Sequence, residues 1–252
     1  MKRYYKIFAA ITMLSVVLFF SPWRAEAASI ALDGTVVSNE YNNGTQAITI
    51  GTNSDRMLIV AYGSYQGAGP SGMTYNGVAL TKIVERVGSF SEVSSLWGLV
   101  APATGTNNLV VSGMGDWSAY GAWSLYNVDQ TLPTTFSSGG GDSSTASLAL
   151  TTTVDGAWVI TSIEAEPTIT MTTSGGANSW TFEGQSFQHA GGHTVVKATA
   201  GSQTMSASLG YGARWNMTNV QIKPVATAAA TRAKVTILGG KTTITGGKVI
   251  IN

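Results

Sequence analysis

No cysteine occurs anywhere in the chain, which excludes disulfides, thiolate metal sites and a lipid-bearing cysteine anchor. Histidine is nearly as scarce. The two present, His189 and His193, stand in "HAGGH", with glycines between them and a β-prone run after. On a helix that spacing would bring two imidazoles to one metal; here it predicts a surface loop and no metal site. The enzyme motifs that a sequence can display are missing too: no Gly-x-Ser-x-Gly elbow, no His-Glu-x-x-His pair and no phosphate-binding glycine loop. No cofactor is implied, and no dense acidic loop suggests calcium. Beyond residue 27 there is no helical periodicity of useful length, and no run long and apolar enough to cross a bilayer.

Charge is sparse and unevenly placed. From Ala28 to Pro224 six cations (Arg56, Lys82, Arg86, Lys197, Arg214 and Lys223) face twelve acids, a net −6. From Val225 onward Arg232, Lys234, Lys241 and Lys248 face no acid. An acidic body excludes the broad basic surface that nucleic acid requires. The change of sign marks the tail as a separate piece.

The first residues carry an address. "MKRYYK" is basic, "IFAAITMLSVVLFF" is apolar, and "SPWRAEA" ends in Ala25-Glu26-Ala27. That order reads as a secretory signal peptide over 1–27, cut before Ala28. The expected destination is secreted, extracellular or cell-surface, with no membrane span left after cleavage.

The remainder alternates short β-prone runs with Gly, Ser, Asn and Thr clusters such as "SSGGGDSST". "RMLIVAY" is apolar on both alternating sets, as in a central strand covered on both faces. "MTYNGVALTKI" holds Asn76-Gly77 between two short runs, a strong hairpin signal. Roughly a dozen strands at this spacing predict an all-β, antiparallel two-sheet sandwich of jelly-roll type over 28–224. Small residues over 225–233 read as a linker. The tail, 234–252, repeats "KVTIL", "KTTIT" and "KVIIN" with Gly-Gly between copies. Two-residue turns at each Gly-Gly would fold it into a small three-stranded meander. Val235, Ile237, Thr242, Ile244, Val249 and Ile251 would then share one face, and Lys234, Lys241 and Lys248 the other. Such a sheet is too small to stand alone and calls for a partner surface. Lys234, Ile237, Lys241, Ile244, Lys248 and Ile251 are the candidate assembly or attachment residues, with a further copy of the chain or an envelope polymer as partner.

"DRMLIVAYGSY", "MTYNGVALTKI", "SSLWGLVAPATGTNNLVVS", "DWSAYGAWSLYNVDQTLP" and the closing "NMTNVQIKP" follow one another between about Asp55 and Pro224. In that order they resemble a jelly-roll-like β-sandwich module that recurs in secreted and cell-surface bacterial proteins. More distantly they are similar to concanavalin-type lectin and glucanase folds. The resemblance implies fold and location; it brings no catalytic set with it.

Two constellations remain. "IEAEP" places Glu164 and Glu166 on one face of a strand, their carboxylates about 6–7 Å apart, near the separation that acid/base glycoside hydrolysis uses. The next alternate position, where such glucanases carry a third acid, is Thr168 here, and Pro167 interrupts the strand, so two solvent-facing glutamates at a strand end are the plainer reading. The aromatics suggest binding: Tyr120 and Tyr126 share one face of the strand around Trp123. That strand is either internal or presents those rings in a concave groove. Asp116, Trp117, Tyr211 and Arg214 would add contacts to a sugar. The leading expectation is a non-catalytic binding or adhesion sandwich for polysaccharide. A structural subunit attached through its tail, and a glycoside hydrolase or lyase using Glu164 and Glu166, are the alternatives.

Overall fold

The computed structural model describes residues 28–34, 37–39, 44–166, 171–174, 177–183, 189–226, 234–238 and 241–245. In chain order the strands are β1 (Ala31–Leu32), β2 (Val37–Asn39), β3 (Thr45–Ile50), β4 (Met57–Gln66), β5 (Gly72–Tyr75), β6 (Val78–Ala79), β7 (Thr81–Val87), β8 (Val93–Val100) and β9 (Gly105–Ser112). They continue with β10 (Asp116–Tyr126), β11 (Phe136–Thr151), β12 (Ala157–Glu166), β13 (Thr172–Ser174), β14 (Ala177–Glu183), β15 (His189–Lys197), β16 (Ser202–Ile222), β17 (Lys234–Leu238) and β18 (Lys241–Thr245). No helix occurs among the described residues, and every strand pair is antiparallel. The all-β sandwich expected from the sequence is present, with one more sheet than two.

Residues 27–226 form one compact unit. Its central sheet runs β1-β10-β4-β8-β7, with β2 also on β10; a large sheet runs β11-β16-β12-β15-β14, with β13 on β16; a small sheet runs β3-β9-β5-β6. The strand read as covered on both faces is the middle of this stack. Met57, Ile59 and Ala61 of β4 join Trp123, Trp158, Ile160 and Val220 in the core toward the large sheet. Leu58, Val60 and Tyr62 join Ile48, Tyr75 and Leu109 in the core toward the small sheet. All six β4 residues are 0% exposed, and full burial stabilises each large aliphatic side chain by about 2 kcal/mol. The Asn76-Gly77 hairpin forms between β5 and β6, with φ of 49° and 76°, the left-handed pair that such a turn demands.

A third core lies on the outer face of the large sheet, where Val159, Ile163 and Met217 meet Ala146, Leu150 and Met205. It exists because β11 and β16 pair as one long ribbon with a register shift between Ser143 and Thr145. Past the shift the ribbon folds back over its own sheet, and the Asn219 amide donates to the Leu148 carbonyl at 3.0 Å.

Two glycine clusters read as loops are strand instead. "SSGGGDSST" lies within β11, where a Cβ on Gly139 would sit 2.8 Å from Leu148 Cδ1. "HAGGH" opens β15; a Cβ on Gly192 would come within 2.8 Å of both the Trp123 and Trp180 indoles. These glycines serve close packing rather than turning.

The tail strands β17 and β18 pair with Val235 opposite Ile244 and Lys234 opposite Thr245, the register that a two-residue Gly-Gly connection dictates. Lys248, Ile251 and the rest of the third copy lie outside the described residues, as do residues 1–27, where a leader is expected, and most of the expected linker.

Candidate functional site

The space between the central and large sheets changes character along its length. On β12 the inward positions read Trp158, Ile160, Ser162, Glu164, Glu166; opposite them on β16 stand Ile222, Val220, Thr218, Asn216, Arg214. The central sheet follows suit, with Leu96, Ser94 and Glu92 on alternate positions ending at the start of β8. One end is apolar, the middle is hydroxyl and the far end is amide and ionic. In the middle, Ser94 Oγ lies 3.1 Å from Thr218 Oγ1, and Ser162 Oγ donates to the Tyr62 carbonyl at 2.9 Å. These bonds satisfy the buried hydroxyls and pin the two sheets together.

At the ionic end three glutamates surround one arginine. Arg214 Nε lies 3.1 Å from Glu92 Oε1, and Nη2 donates to Glu166 Oε2 at 2.9 Å. The Glu92 side chain is 2% exposed, and its second oxygen accepts from the Phe90 amide at 3.0 Å. Glu164 is 2% exposed, and neither of its oxygens has a well-formed hydrogen bond. Burial, and then the neighbouring Glu92 carboxylate, push its pKa well above the usual carboxylate range. The Asn216 amide opposite pulls the other way without completing a good bond. Glu166 is also raised by burial, against the opposing pull of Arg214. Burial disfavours the Arg214 guanidinium, but the bond to Glu166 and the charges of Glu166 and Glu92 outweigh it and raise its pKa.

Above this cluster a cleft of about 340 Å³ opens, lined by Arg86, Glu92, Asp142, Arg214 and Asn216 among others. Its floor is made by bare backbone. A Cβ on Gly140 would stand 2.8 Å from Asn216 Oδ1 and 3.3 Å from Arg86 Nε; one on Gly88 would strike Glu92 Oε2 and the Asn216 amide. Arg86 Nε donates to Asn216 Oδ1 at 3.3 Å, fixing the guanidinium at the wall. The β7–β8 turn closes on itself, with Gly88 N donating to the Glu92 carbonyl at 2.7 Å and Ser91 at φ 69°. It holds the Phe90 ring over Arg214, 4.0 Å from the guanidinium carbon to the ring centre. Phe90 remains 58% exposed.

Glu164 and Glu166 share a face, as the alternation implies, but that face turns inward; neither is the solvent-facing pair of the plain reading. The reason is tertiary: β12 is a middle strand of the large sheet, covered on both faces. Of the aromatic candidates, Tyr120 is 1% exposed in the core toward the small sheet and presents no ring to a ligand. Trp117 and Tyr126 stand at opposite ends of β10, about 30 Å apart at strand rise, so they form no common groove. Trp117 is half-buried at φ 56°, and Asp116 pairs with Gln66 at the same strand end. Tyr211 is half-buried on β16, three residues before Arg214, where the register of the strand is irregular, and it is not among the residues that line the cleft. His193, expected in a surface loop, is 0% exposed, and burial lowers its pKa to about 4.

Arg214 is the candidate from the sequence that reaches the cleft wall. Arg86, Phe90, Glu92, Asp142 and Asn216 were not legible as a group. The available signal is polar residues at alternate positions toward one end of several strands, such as "EVSS" before "LWG" and "RWNMT" before "NVQI", which gains meaning only once the register is known.

No group of three or more potential ligands for a metal ion is found among the described residues. No protein-family model, curated protein or solved structure matches the chain. What fold and site define together is an antiparallel β-sandwich with a polar cleft at one end of its inter-sheet layer.

Proposed function

We propose that the protein is an exported or surface-associated, non-catalytic sandwich that binds polysaccharide in the cleft at the ionic end of its two larger sheets. The observation that carries this reading is a cleft with fixed walls whose polar groups are left uncommitted. The terminal nitrogens of Arg86 and the carboxylate of Asp142 have no partner among the described residues, although both line the cleft. Pre-set donors and acceptors in a concave site beside an exposed ring suit sugar hydroxyls. Burial of Glu164 favours binding over hydrolysis, since a general acid must come within hydrogen-bond reach of the bond it protonates. In this reading Glu92 and Glu166 hold Arg214 in place.

Affinity electrophoresis of the full chain through gels containing a panel of plant and bacterial polysaccharides is the test. Retarded migration in at least one gel, with no release of reducing ends, is expected. Reducing ends that appear with the wild type and vanish with Glu164→Gln would replace this reading with the hydrolase one.

The tail supports a second role. The β17–β18 register aligns copies of one repeated phrase, and a ribbon of that size needs further cover. Attachment or assembly through the tail is tested by removing 225–252; unchanged size in solution and unchanged cell association would reject it.

A further inference from the structure

The tail carries its own rule for pairing. β17 and β18 are successive copies of one phrase, and they meet in a centred register: Thr236 stands opposite Thr243, Val235 opposite Ile244 and Lys234 opposite Thr245. Counted within the phrase, the first position pairs with the fifth, the second with the fourth and the third with the third. Such a register is self-complementary, so it suits any two copies laid antiparallel, whether they come from one chain or from two. It also keeps the lysines apart, because the first position always meets the fifth, which is Leu238 or Thr245.

The hairpin decides which backbone groups of β17 stay free. Leu238 and Lys241 flank a two-residue connection and so form a hydrogen-bonded pair; by alternation Thr236–Thr243 and Lys234–Thr245 do the same. The amides and carbonyls of Val235 and Ile237 therefore point away from β18. Among the described residues β17 pairs with β18 alone, and a two-stranded ribbon falls short of independent stability. In sequence the third copy follows β18 through Gly246-Gly247, whereas no copy precedes β17. Resting on the assembly reading of the tail above, we propose that β17 pairs antiparallel with β17 of a second copy of the chain, joining two hairpins into one sheet across a twofold axis. The contact continues the copy-on-copy pairing already present between β17 and β18. In the centred register Val235 stands opposite Ile237 of the second copy, and these are the residues whose hydrogen-bonding groups face outward. Thr236 meets its own counterpart on the axis, and Lys234 meets Leu238. A slip by one residue loses the hydrogen-bonding phase, and a slip by two leaves fewer residues paired.

The chain has no cysteine, so a single introduced thiol reports on the register. Full-length Thr236→Cys, once oxidised, should give a disulfide-linked dimer, because the two thiols stand at a non-hydrogen-bonded pair with Cα atoms about 4.5 Å apart. Lys234→Cys, off the axis, should give severalfold less. Sedimentation velocity of the full chain should show a dimer, and Ile237→Pro should weaken it about tenfold or more. That proline removes an outward N–H and leaves the pairing with β18 in place. Added salt should tighten the dimer, since each tail brings Arg232, Lys234, Lys241 and Lys248 and no acid. A monomer at every concentration, or equal cross-linking through Thr236→Cys and Lys234→Cys, overturns the inference. Attachment of the tail to an envelope polymer then survives if removal of 225–252 still abolishes cell association. A dimer that weakens with salt also overturns it, in favour of docking on the acidic body of a neighbour. A dimer that persists without 225–252 overturns both this pairing and assembly through the tail.

Discussion

Acidification acts on two buried groups in opposite directions, and separating them tests the burial argument directly. His193 is 0% exposed, with neither ring nitrogen hydrogen-bonded, and its pKa falls from 6.5 to about 4. Between those values the unfolded chain binds the proton and the folded chain does not. The stability that neutral His193 permits is therefore complete above pH 6.5 and is lost as the pH falls toward 4. At about 1.4 kcal/mol per pH unit the whole window amounts to about 3 kcal/mol. Glu164 has the reverse sign. Its folded pKa lies well above 4.5, so the folded chain holds a proton that the unfolded chain gives up. Stability then declines as the pH rises from 4.5, at up to about 1.4 kcal/mol per unit, until the folded pKa is passed. The two effects partly cancel in the wild type. Urea unfolding of wild type, His193→Gln and Glu164→Gln at pH 7, 6, 5 and 4 resolves them. Relative to His193→Gln, the wild type should lose about 3 kcal/mol between pH 7 and 4. Relative to Glu164→Gln, it should gain as the pH falls from the folded pKa of Glu164 toward 4.5. A constant wild-type minus His193→Gln difference, or a His193 imidazole that titrates near 6.5 in the folded protein by magnetic resonance, refutes the reasoning.

Other substitutions probe packing and the ionic end. Gly121 faces the Trp180 indole so closely that a Cβ cannot fit; Gly121→Ala should cost about 1–3 kcal/mol in urea unfolding at constant m-value. Arg214→Ala leaves Glu92 buried without its counter-charge and should cost about 3 kcal/mol. That cost should be smaller in the Glu92→Gln background, which a double-mutant cycle measures. Leu96→Ala, in the core between the central and large sheets, should lose about 2–5 kcal/mol by thermal or urea unfolding.

Local pattern made the strands legible. "RMLIVAY" declares itself as a strand with two buried faces, and Asn76-Gly77 as a turn, because both depend on side chains a few positions apart. The glycines of β11 and β15 misled because their reason is non-local: Gly139 answers to Leu148, and Gly192 to Trp123 and Trp180. The third sheet was invisible for the same cause, since β3 and β9 meet across residues Thr45 to Val110. The candidate site suffered most. Alternation put Glu164 and Glu166 on one face, but whether that face meets water or another sheet is decided by β8 and β16, far away in the chain. Tyr120 shows the converse: its neighbours Tyr62 and Tyr75 fill the same core from other sheet positions, so an aromatic alternation that resembled a platform is a packing layer.

The order in which β10 and β16 take their partners has a kinetic corollary. Tyr120 of β10 pairs with Tyr62 of β4, and Val220 of β16 with Phe136 of β11, so much of the molecule is held by residues remote in sequence. Loop closure must precede the reward from such contacts, which places refolding in the millisecond-to-second regime of β-rich topologies rather than that of helical bundles. The last strand of the large sheet to be synthesised, β16, is the one that joins β11, β12 and β13. A nascent chain that has not yet released β16 can pair β12, β15 and β14 but cannot join β11 and β13 to them, so the body acquires its native form only when nearly all of it is free.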